Sequence, residues 1–313
     1  MKAARFHVEA ALVRAVSAVV GLLPMAAVRT CGHGLGRVMF WVDSFHRRIA
    51  LENLAHAFPS RGPAERRALA KAMFAHFGGL LFELLKFGRL SREEIGRLIE
   101  VEGFERVVNA HKQGRGVFYF TGHFGYWEIQ AIGHGLEVQP VGVLARALDN
   151  PYLNALLESV RGSTGNWVIY RHGAVRKVLR ALSSGQGVAL LIDQHMHSAD
   201  AIYVDFFERS AATTSMLAAL ALRTGAPVVP VFALPLGRDR YRLIYEHPVA
   251  PPDRDSPDAI REFTQRCTDV LEMYVRRHPS LWLWMHRRWR DAQLPEETPG
   301  MFPHARPDTE EQA

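Results

Sequence analysis

The sequence predicts an α/β fold, a central mixed sheet flanked by helices and preceded by an N-terminal helical, membrane-associating segment. Three observations lead there. From Ile99 onward, short apolar runs alternate with amphipathic stretches across brief turns, as strands and helices do when they share one core. Before Ile99 the apolar residues recur at helical spacing, and Ala15 to Val28 is an almost purely apolar run. With 313 residues, 48% of them hydrophobic, the chain can bury one large core.

The amino end carries Lys2 and Arg5, but Glu9 and Arg14 interrupt its apolar stretch and no small-residue cleavage site follows, so no cleavable leader is expected. The run from Ala15 to Val28 is fourteen residues long and contains Pro24, whereas a spanning helix needs about twenty apolar residues. Residues 8–28 therefore read as an interfacial or marginally spanning anchor, with a buried soluble helix as the alternative. The expected organisation is an anchor over 1–30, a single α/β domain over 31–290 and a polar, proline-rich tail over 291–313.

Residues 33 to 58 look helical and stop at Pro59. A second amphipathic helix spans roughly 64 to 87, with Glu83 inside its apolar stretch; a carboxylate there must face out or meet an arginine. Ser91 and Glu94 form a capping box for a short helix. Strands are predicted near 99–102, 116–121, 140–145, 167–171, 187–193, 202–206, 227–234 and 241–246. Helices are predicted near 103–113, 126–136, 150–164, 173–184, 214–224 and 257–278, and Leu236 to Asp239 reads as a hairpin turn.

The formal charge is +6 and the pI about 9.5, with only five lysines beside many arginines. Arginine suits bidentate phosphate binding, though a GC-rich genome produces the same bias. Cys31 and Cys267 show neither metal-ligand spacing nor a disulfide framework, which is compatible with a reducing, cytosol-facing location.

The chemistry centres on residues 116–128, Gly-Val-Phe-Tyr-Phe-Thr-Gly-His-Phe-Gly-Tyr-Trp-Glu. An apolar strand is broken at Thr121 and Gly122, which puts His123 on a strand-to-helix turn, where open α/β sheets form their ligand crevice. A histidine acting as general base needs an acceptor on its other ring nitrogen, and Glu128 is a candidate. Five residues on one helix rotate side chains roughly 140° apart, so the pairing requires His123 to lie ahead of the helix. The plainer alternative is a helix-start histidine beside a solvent-facing glutamate.

His123-Phe-Gly-Tyr-Trp-Glu128 resembles the His-x4-Asp/Glu motif of the lipid A biosynthesis acyltransferases, the lauroyl and myristoyl transferases of Gram-negative bacteria, and more loosely the motif of glycerolipid acyltransferases. The resemblance extends through Arg47 to Pro59, an Arg146…Asn150-Pro151 segment followed by Arg161-Gly162, Asp193-Gln194, Val204 to Phe207, Ala211 to Thr214, and His278-Pro279…Trp282-x-Trp284-x-His286-x-Arg288-Trp289. Tyr126 stands where Asn is frequent in the family, and Glu replaces Asp at the acid position. The resemblance implies a glycerolipid-acyltransferase-like α/β fold. It also implies acyl transfer from a thioester, acyl-acyl carrier protein being the expected donor, to a hydroxyl of a Kdo-bearing lipid A precursor at the cytoplasmic face of the inner membrane. His123 and Glu128 would be catalytic, with Glu128 orienting the ring. Arg146, Asn150, Arg161, Asp193, Gln194, Thr213 and Thr214 would bind substrate. No cofactor or metal is expected.

Four further readings come from the residues. Gly187 to Gln194 is a second buried strand with polar residues at its carboxyl end, so Asp193 should share an edge with His123. Thr213 and Thr214 begin a predicted helix, where they cap it or contact phosphate. Asp193, His195 and His197 raise a metal site, disfavoured because no third neutral ligand has suitable spacing. The arginine- and tryptophan-rich stretch 276–290 suits phospholipid headgroups or a phosphorylated glycolipid. No nucleic-acid fold motif accompanies it, so nucleic acid is not an expected partner.

Overall fold

The computed structural model describes residues 2–171, 173–197, 201–237, 239–253 and 256–290, so the expected tail at 291–313 lies outside the described residues. Five helices come first: α1 (Lys2–Leu22), α2 (Met25–Val42), α3 (Ser44–Ala57), α4 (Pro63–Phe87) and α5 (Arg92–Leu98). The sheet region then runs β1 (Ile99–Glu102), α6 (Phe104–His111), β2 (Val117–Thr121), α7 (Trp127–Glu137), β3 (Val141–Ala145), α8 (Pro151–Arg161), β4 (Trp167–Tyr170), α9 (Ala174–Ser183) and β5 (Gly187–Leu191). It closes with β6 (Ala201–Asp205), β7 (Ser210–Thr214), α10 (Met216–Thr224), β8 (Val228–Leu236), β9 (Arg240–Tyr245) and α11 (Ala259–Arg277).

Seven strands form one sheet in the order β1-β9-β8-β2-β5-β3-β4, while β6 and β7 pair separately. Only the β8–β9 hairpin is antiparallel within the large sheet, which makes it mixed and mostly parallel, as expected. Strand β2 is central and buried at every position, which is why it reads as a continuous apolar run and not as an alternating one. Its register with β5 ends on Thr121 opposite Leu191, so the residues just beyond both strands emerge side by side.

Where the structure differs from the sequence reading, local chemistry explains it. The helix expected over 33–58 is two helices, because Asp43 accepts from the His46 amide and starts α3 afresh. Residues 210–214 form β7 instead of opening a helix, and α10 starts at Met216, so Thr213 and Thr214 end a strand. The expected boundary at residue 30 falls inside α2. That helix crosses α4 at backbone contact: a Cβ on Gly36 would sit 2.1 Å from the Phe74 carbonyl oxygen, and one on Gly78 2.3 Å from that of Gly32. Among the described residues one helix, α4, is long and apolar enough to cross a membrane by length and composition, yet Ala70, Met73, Phe74, Leu80 and Phe87 are packed inside the fold. Glu83 meets Arg29 at 3.2 Å and accepts from the Tyr241 hydroxyl, so the carboxylate inside α4 is paired.

Within the stretch 276–290 expected to face lipid, the tryptophans turn inward and only Arg276, Arg277, Arg287 and Arg290 are exposed. Trp282 and Trp284 are completely buried, as are Arg288 and Trp289 to within a few per cent. Their rings pack against Phe206, Phe207 and Phe58, so this segment is an internal brace behind the sheet's carboxyl edge.

Candidate active site

His123 and Asp193 each lie two residues beyond the last paired residues of β2 and β5, and that shared register sets them face to face. The Asp193 carboxylate takes His123 Nδ1 at 2.8 Å on Oδ1 and the His123 backbone N–H at 2.6 Å on Oδ2. Oδ2 also accepts from Trp282 Nε1 at 2.8 Å, and His286 Nε2 lies 3.1 Å from the Asp193 carbonyl oxygen. Gly122 makes the approach possible, since a Cβ there would stand 2.8 Å from Asp193 Oδ2. Gly125, at φ +57°, completes the turn with its N–H on Leu281 and its carbonyl on His76.

Asp193 is fully buried and His123 partly so, and burial on its own would disfavour both charges. Their mutual attraction outweighs that cost. Burial pulls the His123 pKa down, but Asp193 and, more weakly, Glu128 raise it above its ordinary value, while the Asp193 carboxyl is held well below the usual carboxylate range. His286 cannot share this role, because burial pushes its pKa down to about 4 and leaves it neutral. With Nδ1 on Asp193, the ring's Nε2 is the open nitrogen; the Gln194 amide is 3.3 Å from it.

Glu128, the expected ring partner, makes no hydrogen bond to His123. Both its oxygens are taken by Arg161, Nε at 2.8 Å and Nη2 at 2.5 Å, in a mostly buried bidentate pair. The geometric reason is helical: Glu128 lies in the first turn of α7 and faces α8, whereas His123 turns toward β5. Arg161 Nη1 takes no part in the fork.

His123, Glu128, Arg161 and Gln194 line one cavity of about 550 Å³ between α7, α8 and the β2–β5–β3 face. Its walls are mainly apolar, with Trp127, Ala131, Val143, Leu144 and Leu157 among them, and it runs inward from His123 as far as His134 and Val141. Arg146 stands at the same cavity but is exposed and paired with Asp149 at 2.7 Å. The remaining expected ligands are placed elsewhere. Asn150 is buried, caps α8 through the Tyr152 and Leu153 amides, and donates to Phe6 O and Glu9 of α1. Thr213 is enclosed by Arg288 and Ala211, and Thr214 Oγ1 accepts from the Met216 amide. These three make structural joints and do not line the cavity. The His195 and His197 rings lie 4.4 Å apart, but among the described residues no group of three or more His, Cys, Asp or Glu is arranged to hold a metal.

Trp282 and His286 both close on Asp193, a role that the arginine- and tryptophan-rich composition of 276–290 does not predict. The available signal was the presence of Trp282, Trp284 and Trp289 in a segment too apolar between its arginines to remain in water.

With this arrangement in place, the chain can be set beside known proteins. The sequence profile described as "Bacterial lipid A biosynthesis acyltransferase" matches residues 2–291. A lipid A biosynthesis lauroyltransferase of Escherichia coli K12 is 27% identical over 283 residues, 90% of each chain. A lipid A biosynthesis myristoyltransferase of the same strain is 25% identical over 252 residues, covering 80% of this chain and 77% of the relative. A phosphatidylinositol mannoside acyltransferase of Mycolicibacterium smegmatis is 21% identical over 226 residues, 71% of this chain and 72% of the relative. The chain belongs to the bacterial lipid A biosynthesis acyltransferase family, and as an acyltransferase it moves an acyl group from a donor to a lipid acceptor.

Proposed function

We propose that this acyltransferase transfers a fatty acyl group from acyl-acyl carrier protein to a 3-hydroxyacyl hydroxyl of a Kdo-bearing lipid A precursor, at the cytoplasmic face of the inner membrane. The observation that carries the reading is the single open nitrogen of His123, held from behind by Asp193 and opening on an apolar cavity. The acyl chain lies in the cavity with its thioester carbonyl at the mouth. His123 Nε2 takes the acceptor hydroxyl proton as that oxygen bonds to the carbonyl carbon. Asp193 fixes the Nδ1–H tautomer and stabilises the imidazolium. The tetrahedral intermediate then expels the carrier thiolate, which receives the proton from His123. The Gln194 amide and the guanidinium of Arg161 are the donors for the intermediate's oxyanion. The basic surface favours both an acidic carrier protein and a phosphorylated acceptor. Residues 1–30 act as the membrane-associating segment of a single domain over 31–290.

The test is transfer by purified protein from acyl-carrier-protein and coenzyme A thioesters of graded length to a lipid A precursor with or without Kdo, read by mass spectrometry. A phosphatidylinositol mannoside acceptor belongs in the same panel because of the mycobacterial relative. Acylation of that acceptor alone would replace the lipid A assignment. Free fatty acid without acylated product would mean that water is the acceptor.

A further inference from the structure

Helix α2 has two apolar faces. Val28, Gly32, Gly36 and Phe40 are buried against the fold, whereas Leu35, Val38, Met39 and Val42, at i, i+3, i+4 and i+7, are exposed, Leu35 and Met39 flanking the buried face and Val38 and Val42 lying farther round the helix. Trp41, in the last turn of α2 and 58% exposed, and Phe45, in the first turn of α3 and 49% exposed, add two open aromatic rings on either side of the α2–α3 elbow. Aromatic and aliphatic side chains this open carry a cost in water unless a partner covers them.

The rim of the patch is cationic. The Arg67 guanidinium lies 5.0 Å from the Trp41 ring centre, Lys71 Nζ 6.0 Å from it, and the Arg287 guanidinium 5.5 Å from the Phe45 ring. Two acidic residues lie within this stretch: Asp43 is engaged with His46 at the start of α3, and Glu52 with Arg48. Apolar side chains ringed by arginine and lysine over aromatic faces match the headgroup boundary of an anionic bilayer, with alkyl stems lying along the apolar surface and charges among phosphates. A convex helix face offers no groove for a peptide, which favours a lipid surface over a protein partner.

We propose that the α2–α3 elbow is a membrane foot, inserting Val38, Trp41, Val42 and Phe45 into a bilayer rich in anionic phospholipid. The contact is separate from α1 and stands apart from the acyl-transfer reading, since it is measured without donor or acceptor.

Trp41 permits a direct test in the intact protein, because among the six tryptophans it is exposed and the other five are buried or half-buried. Vesicles of phosphatidylethanolamine and phosphatidylglycerol containing bromine-labelled lipid should quench the fluorescence of the unmodified chain, and Trp41→Phe should abolish most of that quenching. In co-sedimentation, Val38→Ser/Trp41→Ser/Val42→Ser should weaken vesicle binding by on the order of 10- to 100-fold. Arg67→Gln/Lys71→Gln should remove the preference for phosphatidylglycerol over phosphatidylcholine vesicles. Circular dichroism and transfer to detergent-dispersed acceptor, both unchanged, separate loss of docking from loss of fold. Quenching that survives Trp41→Phe overturns the proposal, as does a triple variant that sediments like the parent. A triple variant that keeps its vesicle binding but no longer captures acyl carrier protein also overturns it and assigns the surface to a protein.

Discussion

Asp193 holds His123 in position and raises its pKa, so in the proposed mechanism it also sets the pH at which the ring works. Asp193→Asn removes the charge that outweighs burial, so the imidazolium loses its main support and the His123 pKa falls. The acid limb of the rate profile should then move to lower pH, while the plateau drops on the order of 10²- to 10⁴-fold because the tautomer is no longer enforced. An unmoved acid limb would mean that His123 is not the titrating base. Trp282→Phe, which keeps the ring but removes the N–H from Asp193 Oδ2, should shift the same limb by less. The Glu128–Arg161 pair should behave as a unit of its own: Glu128→Gln and Arg161→Ala should each reduce transfer, and the double variant should be little worse than the worse single one. Multiplicative losses in that cycle would show two independent roles. Much of this was legible. The strand-to-turn pattern around His123 and the second polar strand end at Asp193 could be read from residue order. The choice between Glu128 and Asp193 as ring partner could not, because strand register and side-chain direction decide it, and neither is visible in spacing along one segment.

At the scale of elements, the sheet was readable because buried parallel strands are continuous apolar runs bounded by turns. Two elements escaped for physical reasons. Strand β7, Ser-Ala-Ala-Thr-Thr, has only its two threonines to favour a strand, and those read equally as a helix start; it is stabilised by pairing with β6 and by Arg288 beneath it. The brace at 282–290 looks polar in sequence because arginines punctuate it, but Arg288 is buried and donates to Ala212 O and Thr213 Oγ1, while Arg287 and Arg290 stay exposed. The α2–α4 crossing yields an element-scale prediction. Gly36→Val drives a branched side chain into the Phe74 backbone, which should destabilise the fold by on the order of 2–4 kcal/mol. Gly34→Ala on the same helix, where a Cβ meets nothing within 4 Å, should be neutral or slightly stabilising. Thermal melts of the two variants side by side would check this, and equal melting temperatures would contradict the close crossing.

For the whole molecule, acid stability follows from histidines kept neutral. Burial holds His76 and His286 down to about 4 and His134 down to about 3, against about 6.5 in an unfolded chain. Between those limits the unfolded state binds more protons, so stability rises with pH. The contribution is fully present above about pH 6.5 and is lost as pH falls toward 4, at about 1.4 kcal/mol per pH unit for each such proton. His123 has the opposite sign, since its raised pKa contributes stability at low pH that is lost as pH rises through it. Burial lowers His33, His56, His111 and His278 in the same direction, so the lowered histidines outnumber His123, and denaturant midpoints should fall below pH 6; a flat profile would place those rings in water. The brace also has a consequence for the order of events on the ribosome. His123 and Asp193 emerge early, but the indole of Trp282 and the ring of His286 that close on Asp193 are synthesised nearly a hundred residues later. A nascent chain thus carries His123 and Asp193 long before it can hold them in place, and competence for acyl transfer at the proposed site waits until the brace has been translated and has folded into the core.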